Sequence, residues 1–404
     1  MRMRLLVLAL GSALSGSAMA IANQEYASGL QFNFTNPGAR SIGMGGAYLG
    51  FSDDATAAYT NPAGLTILGQ PEITVEFRRT EFETPFVSGG TSPGGITTST
   101  ASSSTTNPSY MAVVYPGDGW AMAWYRQVLV DYDTSFTKAS IPTPTGTIFA
   151  ARSEAAIAIE NIGVSGAYEF TEQFSFGLSL LHSSLEFAGV SVRSNGATLV
   201  NAQAESAHDS KMTFNAGALY KLNDQWSFGT AYRRGPRFNM TFAASNLNAA
   251  GNFTGTPTVF GTNFNTPHQF GVGAAFRANE RLSIGFDANF VRYSRLGQEN
   301  APQLTDYALE IDNGVELRIG GEYVFDTMSN PFTLRAGVWR DPEHRLKFNG
   351  SDLTNADALL FPEGDDNIHV TAGFGWVIGR FQIDGGADFS EEIDTVSLST
   401  GVRF

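Results

Sequence analysis

From about residue 73 to the C-terminus, apolar and polar residues alternate with the two-residue repeat of a strand whose faces differ. The final segment sets the parity. Val396, Leu398, Thr400, Val402 and Phe404 fall on one face, and Thr395, Ser397, Ser399, Gly401 and Arg403 on the other. The preceding segment places Phe381, Ile383, Ala387 and Phe389 against Gln382, Asp384 and Asp388, and residues 367–378 and 281–293 repeat the pattern. In residues 315–325, Val315, Leu317, Ile319, Tyr323 and Phe325 oppose Glu316, Arg318 and Glu322. Ionised groups are costly to bury in a dry core, whereas the wet lumen of a membrane barrel accepts them and lets opposite signs pair.

Fourteen strands are predicted, at about 73–82, 108–116, 119–131, 154–170, 173–189, 209–221, 225–242, 265–277, 281–295, 313–326, 331–342, 367–378, 380–389 and 394–404. Their connections segregate by length. Tight turns fall at Gly117-Asp118, Thr171-Glu172, Asn223-Asp224, Asn279-Glu280, 327–330 and Gly379. Long loops fall at 83–107, 132–153, 190–208, 243–264, 296–312 and 343–366; only the connection near Glu391 is short on that side. Short periplasmic turns and long outer loops are the habit of outer-membrane barrels, and a soluble sandwich has no reason to sort its loops in this way. Two strands depart from the pattern. In 154–170 the apolar residues move from odd (Ile157, Ile159) to even positions (Ile162, Val164, Tyr168, Phe170), which predicts a β-bulge near Glu160-Asn161. In 119–131 both faces are apolar, so this strand either packs on an apolar plug or lines a greasy passage.

The first twenty residues, MRMRLLVLALGSALSGSAMA, read as a cleaved signal peptide: a basic start at Arg2 and Arg4, a short apolar run from Leu5, and small residues before a cut after Ala20. The apolar run is too short for a membrane-spanning helix, which needs roughly 20 residues. Cleavage takes the formal charge from -14 to -16, since it removes two arginines and no acid. So acidic a chain lacks the basic footprint of a nucleic-acid binder. No cysteine is present, which rules out disulfides and thiolate metal sites. With 44 Gly, 31 Phe and 13 Tyr but only 16% charged residues, the composition suits many strands, turns and interfacial aromatic belts.

Residues 21–70 lack the two-residue repeat and are rich in Gly and Ala. Gly43, Gly45 and Gly46 permit close backbone packing or positive φ, Asp53 is a candidate N-cap for a helix at 55–59, and Asn61-Pro62 is a break. A compact, weakly polar stretch ahead of the first strand suits a plug in the lumen. The run IGMGGAY…DDATAAYTNPAGL, with Gly43, Gly45 and Gly46, then Asp53 and Asp54, then Asn61, Pro62 and Ala63, resembles the N-terminal hatch of the FadL/TodX outer-membrane transporters. The resemblance implies an all-β, 14-stranded antiparallel transmembrane barrel (71–404) with a hatch in its lumen (21–70), following the signal peptide (1–20). It also implies a monomer in the outer membrane of a Gram-negative-type cell, surrounded by outer-membrane lipid. A terminal strand ending on Phe404 resembles the signal read by the barrel assembly machinery. The implied activity is passive uptake of hydrophobic small molecules, long-chain fatty acids or aromatic hydrocarbons, through apolar outer loops, a hatch-gated pocket and lateral exit through the wall. A PorV-like scaffold for protein secretion carries a similar motif and is the alternative.

No catalytic constellation is present, so no enzyme activity and no cofactor are expected. GMGG lacks a strand–helix frame for a dinucleotide, GxSxG and HExxH are absent, and the five histidines are scattered without ligand spacing. Asp53-Asp54 suits capping and plug polarity better than Ca²⁺. Phe253, Val259, Phe260 and Phe264 in one loop and Leu359, Leu360 and Phe361 in another either bind an apolar ligand or close the barrel mouth. For a carboxylate ligand, Arg318 and Arg335 face inward by parity, with Arg233 and Arg126 as further candidates; pairing with Glu316, Glu322 or Asp384 competes for them.

Overall fold

The computed structural model describes residues 34–91, 95–143, 146–248, 253–298, 309–326, 330–350 and 356–404. The expected signal segment, residues 21–33 and the turn at 327–329 lie outside them. Fourteen antiparallel strands form one closed ring. In chain order they are β1 (Glu72–Thr91), β2 (Gly95–Pro116), β3 (Trp120–Lys138), β4 (Ala150–Thr171), β5 (Phe174–Asn195), β6 (Thr198–Lys221), β7 (Trp226–Arg233), β8 (Gln269–Arg277), β9 (Leu282–Val291), β10 (Gly314–Phe325), β11 (Phe332–Asp341), β12 (Asn367–Ile378), β13 (Phe381–Phe389) and β14 (Ile393–Arg403). Each pairs with its chain neighbours, and β14 closes on β1 with Phe77 opposite Leu398. Closure removes the open sheet edges that hydrocarbon cannot satisfy.

The parity read from the last strand holds. Val396 and Leu398 are 52% and 53% exposed on the lipid side, while Ser397 and Ser399 are 2% and 6% exposed on the inner side. An aromatic rim follows the short-turn end, with Tyr115–Trp120, Phe170–Phe174, Trp226–Phe276 and Tyr323–Phe325 as ring pairs. Amphipathic rings suit that interface.

Three expectations need correcting. First, much of the long outer connections is strand. β1 and β2 pair as far as Thr91 and Gly95, and β5 and β6 as far as Asn195 and Thr198. Beyond the bilayer both faces meet water or one another, so period two fades although the ladder continues. Second, the strand expected at 225–242 ends at Arg233. After Arg234-Gly235-Pro236 the chain forms an outer hairpin, Arg237–Leu247 with Phe253–Asn265, which meets β6 at Ser245 and Asn246. Proline has no N–H for the ladder and breaks it there. Third, β4 carries no bulge at Glu160-Asn161: its pairing with β5 runs unbroken through these residues, and odd residues face inward on both sides of them. The extra residue is Leu129 on β3, where the register slips between Val128 and Val130 opposite Glu160 and Ile159. The apolar residues of β4 change position because the surroundings change. Ile162 and Val164 face lipid, whereas Ile157 and Ile159 face an apolar upper lumen.

Residues 34–68 pack against the inner face of the ring. They form a short helix α1 (Ala39–Gly43), a second turn α2 (Ala57–Thr60) and a 3₁₀ turn (Pro62–Ile67). Hydrogen bonds reach from this inner segment to the wall in several directions, to Glu76 of β1, Ser165 of β4, Ser227 of β7, Asp287 of β9 and Thr371 of β12.

Candidate functional site

The lower lumen is a polar lattice that fixes the inner segment. Arg40 of α1 donates to Asp53 at 2.6 Å and to Glu322 of β10 at 2.7 Å. Glu322 also accepts from Arg335 of β11 at 3.1 Å, and Arg335 donates to Asp384 of β13 at 2.8 Å. The Asp287 carboxylate accepts the Tyr48 and Leu49 backbone N–H groups at 2.8 and 2.9 Å. Gly45 and Gly46 take positive φ (63° and 71°), turning the chain after α1. A Cβ on Gly43 would stand 3.0 Å from the Gly373 backbone of β12, so glycine faces glycine at that contact.

Asp53 is not the expected helix cap. Its carboxylate is taken by Arg40, and α2 starts after Thr56, whose N–H donates to Asp54 at 2.9 Å. Asn61 does end α2, with φ -149°, and its amide donates to the Leu49 carbonyl at 3.1 Å and the Ala218 carbonyl of β6 at 3.2 Å. Pro62 and Ala63 then begin the 3₁₀ turn, both buried. No group of three or more His, Cys, Asp or Glu among the described residues is arranged to hold a metal ion.

The upper lumen is apolar. Ile157 and Ile159 of β4, Leu185 and Phe187 of β5, Val130 and Tyr132 of β3, and Phe238 of the outer hairpin are buried in one cluster with Phe34 of the inner segment. The wall residues come from the adjacent strands β3, β4 and β5, and Phe82 of β1, Val291 of β9 and Ile393 of β14 join them from further round the ring. Such an apolar cluster offers an apolar molecule contacts away from water. Ala121, Ala123 and Tyr125 of β3 instead pack below on Ala55, Ala58, Tyr59 and Leu65 of the inner segment. One strand therefore serves as plug contact at its lower end and chamber wall at its upper end.

The apolar outer residues divide. Leu360 and Phe361 are buried with Val87, Ile141, Leu309 and Leu346 in a cap drawn from several outer connections, and Leu359 is half-buried. Phe264 packs against the chamber, while Val259 is 65% exposed. Phe253 pairs with Leu247 and Phe260 with Phe242 along the outer hairpin, and the side chains of Phe253 and Phe260 lie outside the described set.

Two features of the chamber floor were not legible from parity. One is a seam in the wall. β2 and β3 pair only from Pro116–Ala121 to Tyr110–Gln127. Above this, the β1–β2 register shifts beside Tyr110 and the β3–β4 register shifts at Leu129. The strands then meet through side chains, with Asn107 donating to Asp131 at 2.7 Å and Thr105 to the Asp131 carbonyl at 3.3 Å. A cavity of about 50 Å³ opens at the seam, lined by Thr35, Arg78, Asn107, Leu129, Asp131 and Tyr132 among others. The other feature is the distribution of charge. Arg318 is matched by Glu316 at 3.0 Å and stacks 3.8 Å over Trp339; Arg335 is matched as described above. Arg126 faces outward with Glu160 at 2.6 Å, where the lipid-facing band of β4 ends. Arg233 faces inward, and its hydrogen-bond partners among the described residues are neutral: Gln269 at 2.9 Å, Asn36 at 2.8 Å and the Thr60 carbonyl at 3.0 Å.

The family model described as outer membrane protein transport protein (OMPP1/FadL/TodX) matches residues 18–391. No curated protein matches significantly. Among solved structures, a Pseudomonas aeruginosa FadL homologue is 15% identical with a TM-score of 0.67, covering 93% of this chain and 100% of its own. The Ralstonia pickettii toluene transporter TbuX is 16% identical with a TM-score of 0.66, over 92% and 99%. The P. putida toluene transporter TodX is 15% identical with a TM-score of 0.65, over 92% and 99%. At these identities the likeness establishes the fold.

Proposed function

The chain belongs to the OMPP1/FadL/TodX family of outer-membrane transport proteins, and from that premise we propose that it carries hydrophobic small molecules passively, as a monomer, from the outer surface to the bilayer. In this reading residues 21–70 are a hatch that closes the lower lumen. The ligand enters past the apolar cap, rests in the upper chamber and leaves sideways through the β2–β3 seam. Lateral release suits such cargo, because a route through the polar lattice would return it to water.

The observation that carries this reading is the apolar cluster directly above an inner segment locked to the wall by ion pairs and hydrogen bonds. The seam adds a side route at the level of that floor, since Leu129 both lines its cavity and packs against the chamber. The description of structural relatives as toluene transporters supports an apolar cargo. Nothing observed favours the secretion scaffold.

The test uses the absence of native cysteine. An Asn107→Cys, Asp131→Cys double variant, joined by a short thiol cross-linker in cells, closes the seam. Uptake of a labelled fatty acid and of a labelled aromatic hydrocarbon should fall to the level of cells lacking the protein, and return when a cleavable linker is cut. Unchanged uptake with the seam closed would refute lateral exit.

A further inference from the structure

We infer that the lipid-facing wall over β7–β11 is a docking surface for a phosphorylated lipid of the outer leaflet, with Arg234 and Arg292 as its headgroup contacts. The argument begins with the residue one same-face step beyond the last lipid-facing apolar or aromatic side chain of each strand, as Arg292 follows Phe290 on β9. On β7 to β11 that step holds Arg234, His268, Arg292, Asn313 and Arg340 in turn. On β12 to β14 it holds Asp366, Glu391 and Asp394. A chain with a formal charge of -14 thus gathers cations on one arc of its outer boundary and acids on the next. The level is that of the lipid heads. The ten residues of chain from Leu282 to Arg292, at ~3.4 Å each and a tilt of about 40°, climb roughly 25 Å, the height of the apolar band.

Register puts the first three side by side. Gln269 pairs with Arg233 on one side and Val291 on the other, so His268 stands between Arg234 and Arg292, and the Arg292 N–H donates to the His268 carbonyl at 2.9 Å. Neighbouring strands lie ~4.8 Å apart, which sets the two arginines roughly 10 Å from each other, close enough for both long side chains to serve one head. Arg234 lies against the outer wall with its guanidinium 5.8 Å from the Phe214 ring, and both arginines are exposed. Among the described residues neither has an ion-pair partner, whereas Arg340 is paired with Asp366, Arg79 with Glu81 and Arg126 with Glu160. An arginine fork matches phosphate oxygens in pairs. Two same-face steps below this row the wall is recessed. An open depression of about 570 Å³, lined by Phe228, Val272, Phe286, Ala288, Leu317 and Val338 among others, crosses the same five strands. Ala288, opposite Val272 and Leu317, is the small residue that lowers the surface there. An apolar recess beneath a cationic row complements an acyl chain beneath a phosphate. The surface lies on another part of the wall from the β2–β3 seam and does not depend on the transport reading.

Native mass spectrometry of the full folded chain, released from detergent micelles titrated with bis-phosphorylated lipid A or with phosphatidylcholine, tests this. The wild type should retain one lipid A, roughly tenfold or more tighter than phosphatidylcholine, and excess inorganic phosphate should not displace it. An arginine beside an anionic head is worth about fivefold in affinity. The double variant Arg234→Gln, Arg292→Gln should therefore hold lipid A roughly 25-fold more weakly and phosphatidylcholine within about twofold of the wild type. Arg234→Lys with Arg292→Lys should keep part of the affinity, because point charges replace the planar forks. Ala288→Phe fills the recess and should weaken lipid A with both arginines in place. Arg79→Gln removes a cation that Glu81 already matches and should change nothing. The heat-dependent gel shift shows that each variant is folded. Equal retention of the two lipids by the wild type, or equal loss in Arg79→Gln and the double variant, would overturn the inference and leave the row as solvated cations. Displacement by inorganic phosphate would overturn it in favour of a small-anion site, and paired chains in place of bound lipid would give the face to a second copy of this chain.

Discussion

On β4, Ser165 and Asn161 point into the lumen and are held by hydrogen bonds, Ser165 to the Ala58 carbonyl and Asn161 to Gln127 and Ser183. Two and four residues further along the same inward face, Ile159 and Ile157 pack among Phe34, Leu185 and Phe238. Strand and parity are unchanged, but the lumen passes from polar lattice to apolar chamber within one residue pair. The lower half resists displacement because the Arg40–Glu322–Arg335–Asp384 chain ties the inner segment to three wall strands. The upper half has no such lattice, and its apolar surface gains by contact with any apolar molecule. The polar lattice below and the apolar cluster above are thus two consequences of one change in side-chain polarity.

The largest effect should come from breaking the lower half. Arg40 neutralises Asp53 and Glu322 together, and removing one member of a buried ion pair costs about 3–5 kcal/mol. Arg40→Ala should free the inner segment without opening the wall. The expected readouts are rapid proteolysis within residues 34–70 and an ion conductance in planar bilayers that the wild type lacks. A next, smaller effect belongs to the upper half. Ile159→Asn removes a buried aliphatic contact worth roughly 1.5–3 kcal/mol, so apolar ligand affinity should fall about tenfold. Conductance and the heat-dependent gel shift of the folded barrel should stay as in the wild type. If Ile159→Asn opened the floor, or Arg40→Ala abolished binding and left the floor shut, the two halves would not be separable.

The smallest effect concerns the cap. Asp366 is partly desolvated, but the Glu343 N–H and Arg340 bonds outweigh this and hold its carboxyl below the ordinary aspartate range. A carboxyl lowered on folding stabilises the folded form above its unfolded pKa of about 3.9, and that contribution is lost as pH falls through the lower folded value. Proteolytic nicking between residues 343 and 366 should therefore rise only in strong acid. Asp366→Asn should be nicked faster at neutral pH and respond less to acid.

The sequence makes the wall strands legible because each crosses the bilayer with lipid on one side and lumen on the other, and period two records that contrast. It also marks the inner segment, since residues 38–65 lack the repeat. Legibility ends where the contrast ends. The Ser- and Thr-rich stretch at 97–107 is strand in the structure, but it stands where both faces are polar. The bulge at Leu129 was misplaced onto β4 because a change of environment and a change of register leave the same trace in a single strand; pairing alone separates them. Parity put Arg318 and Arg335 in the lumen and left Arg233 and Arg126 as further candidates, of which Arg233 faces inward and Arg126 outward. Which of them bonds to an acid across the ladder depends on how neighbouring strands align, with Arg335 opposite Glu322 and Arg233 opposite Gln269. One available signal was missed: glycines at inward positions, such as Gly229 and Gly320, mark where a Cβ would collide with the Leu49 and Met44 carbonyls, tracing the seat of the inner segment on the wall.

If the upper lumen is where the cargo rests, a crystal of the full chain grown with an alkyl carboxylate brominated at its tail shows it directly. Anomalous signal from bromine should lie inside the ring among Ile159, Leu185 and Phe238. Bromine found only on the lipid-facing side of the wall, with the chamber empty, would contradict it.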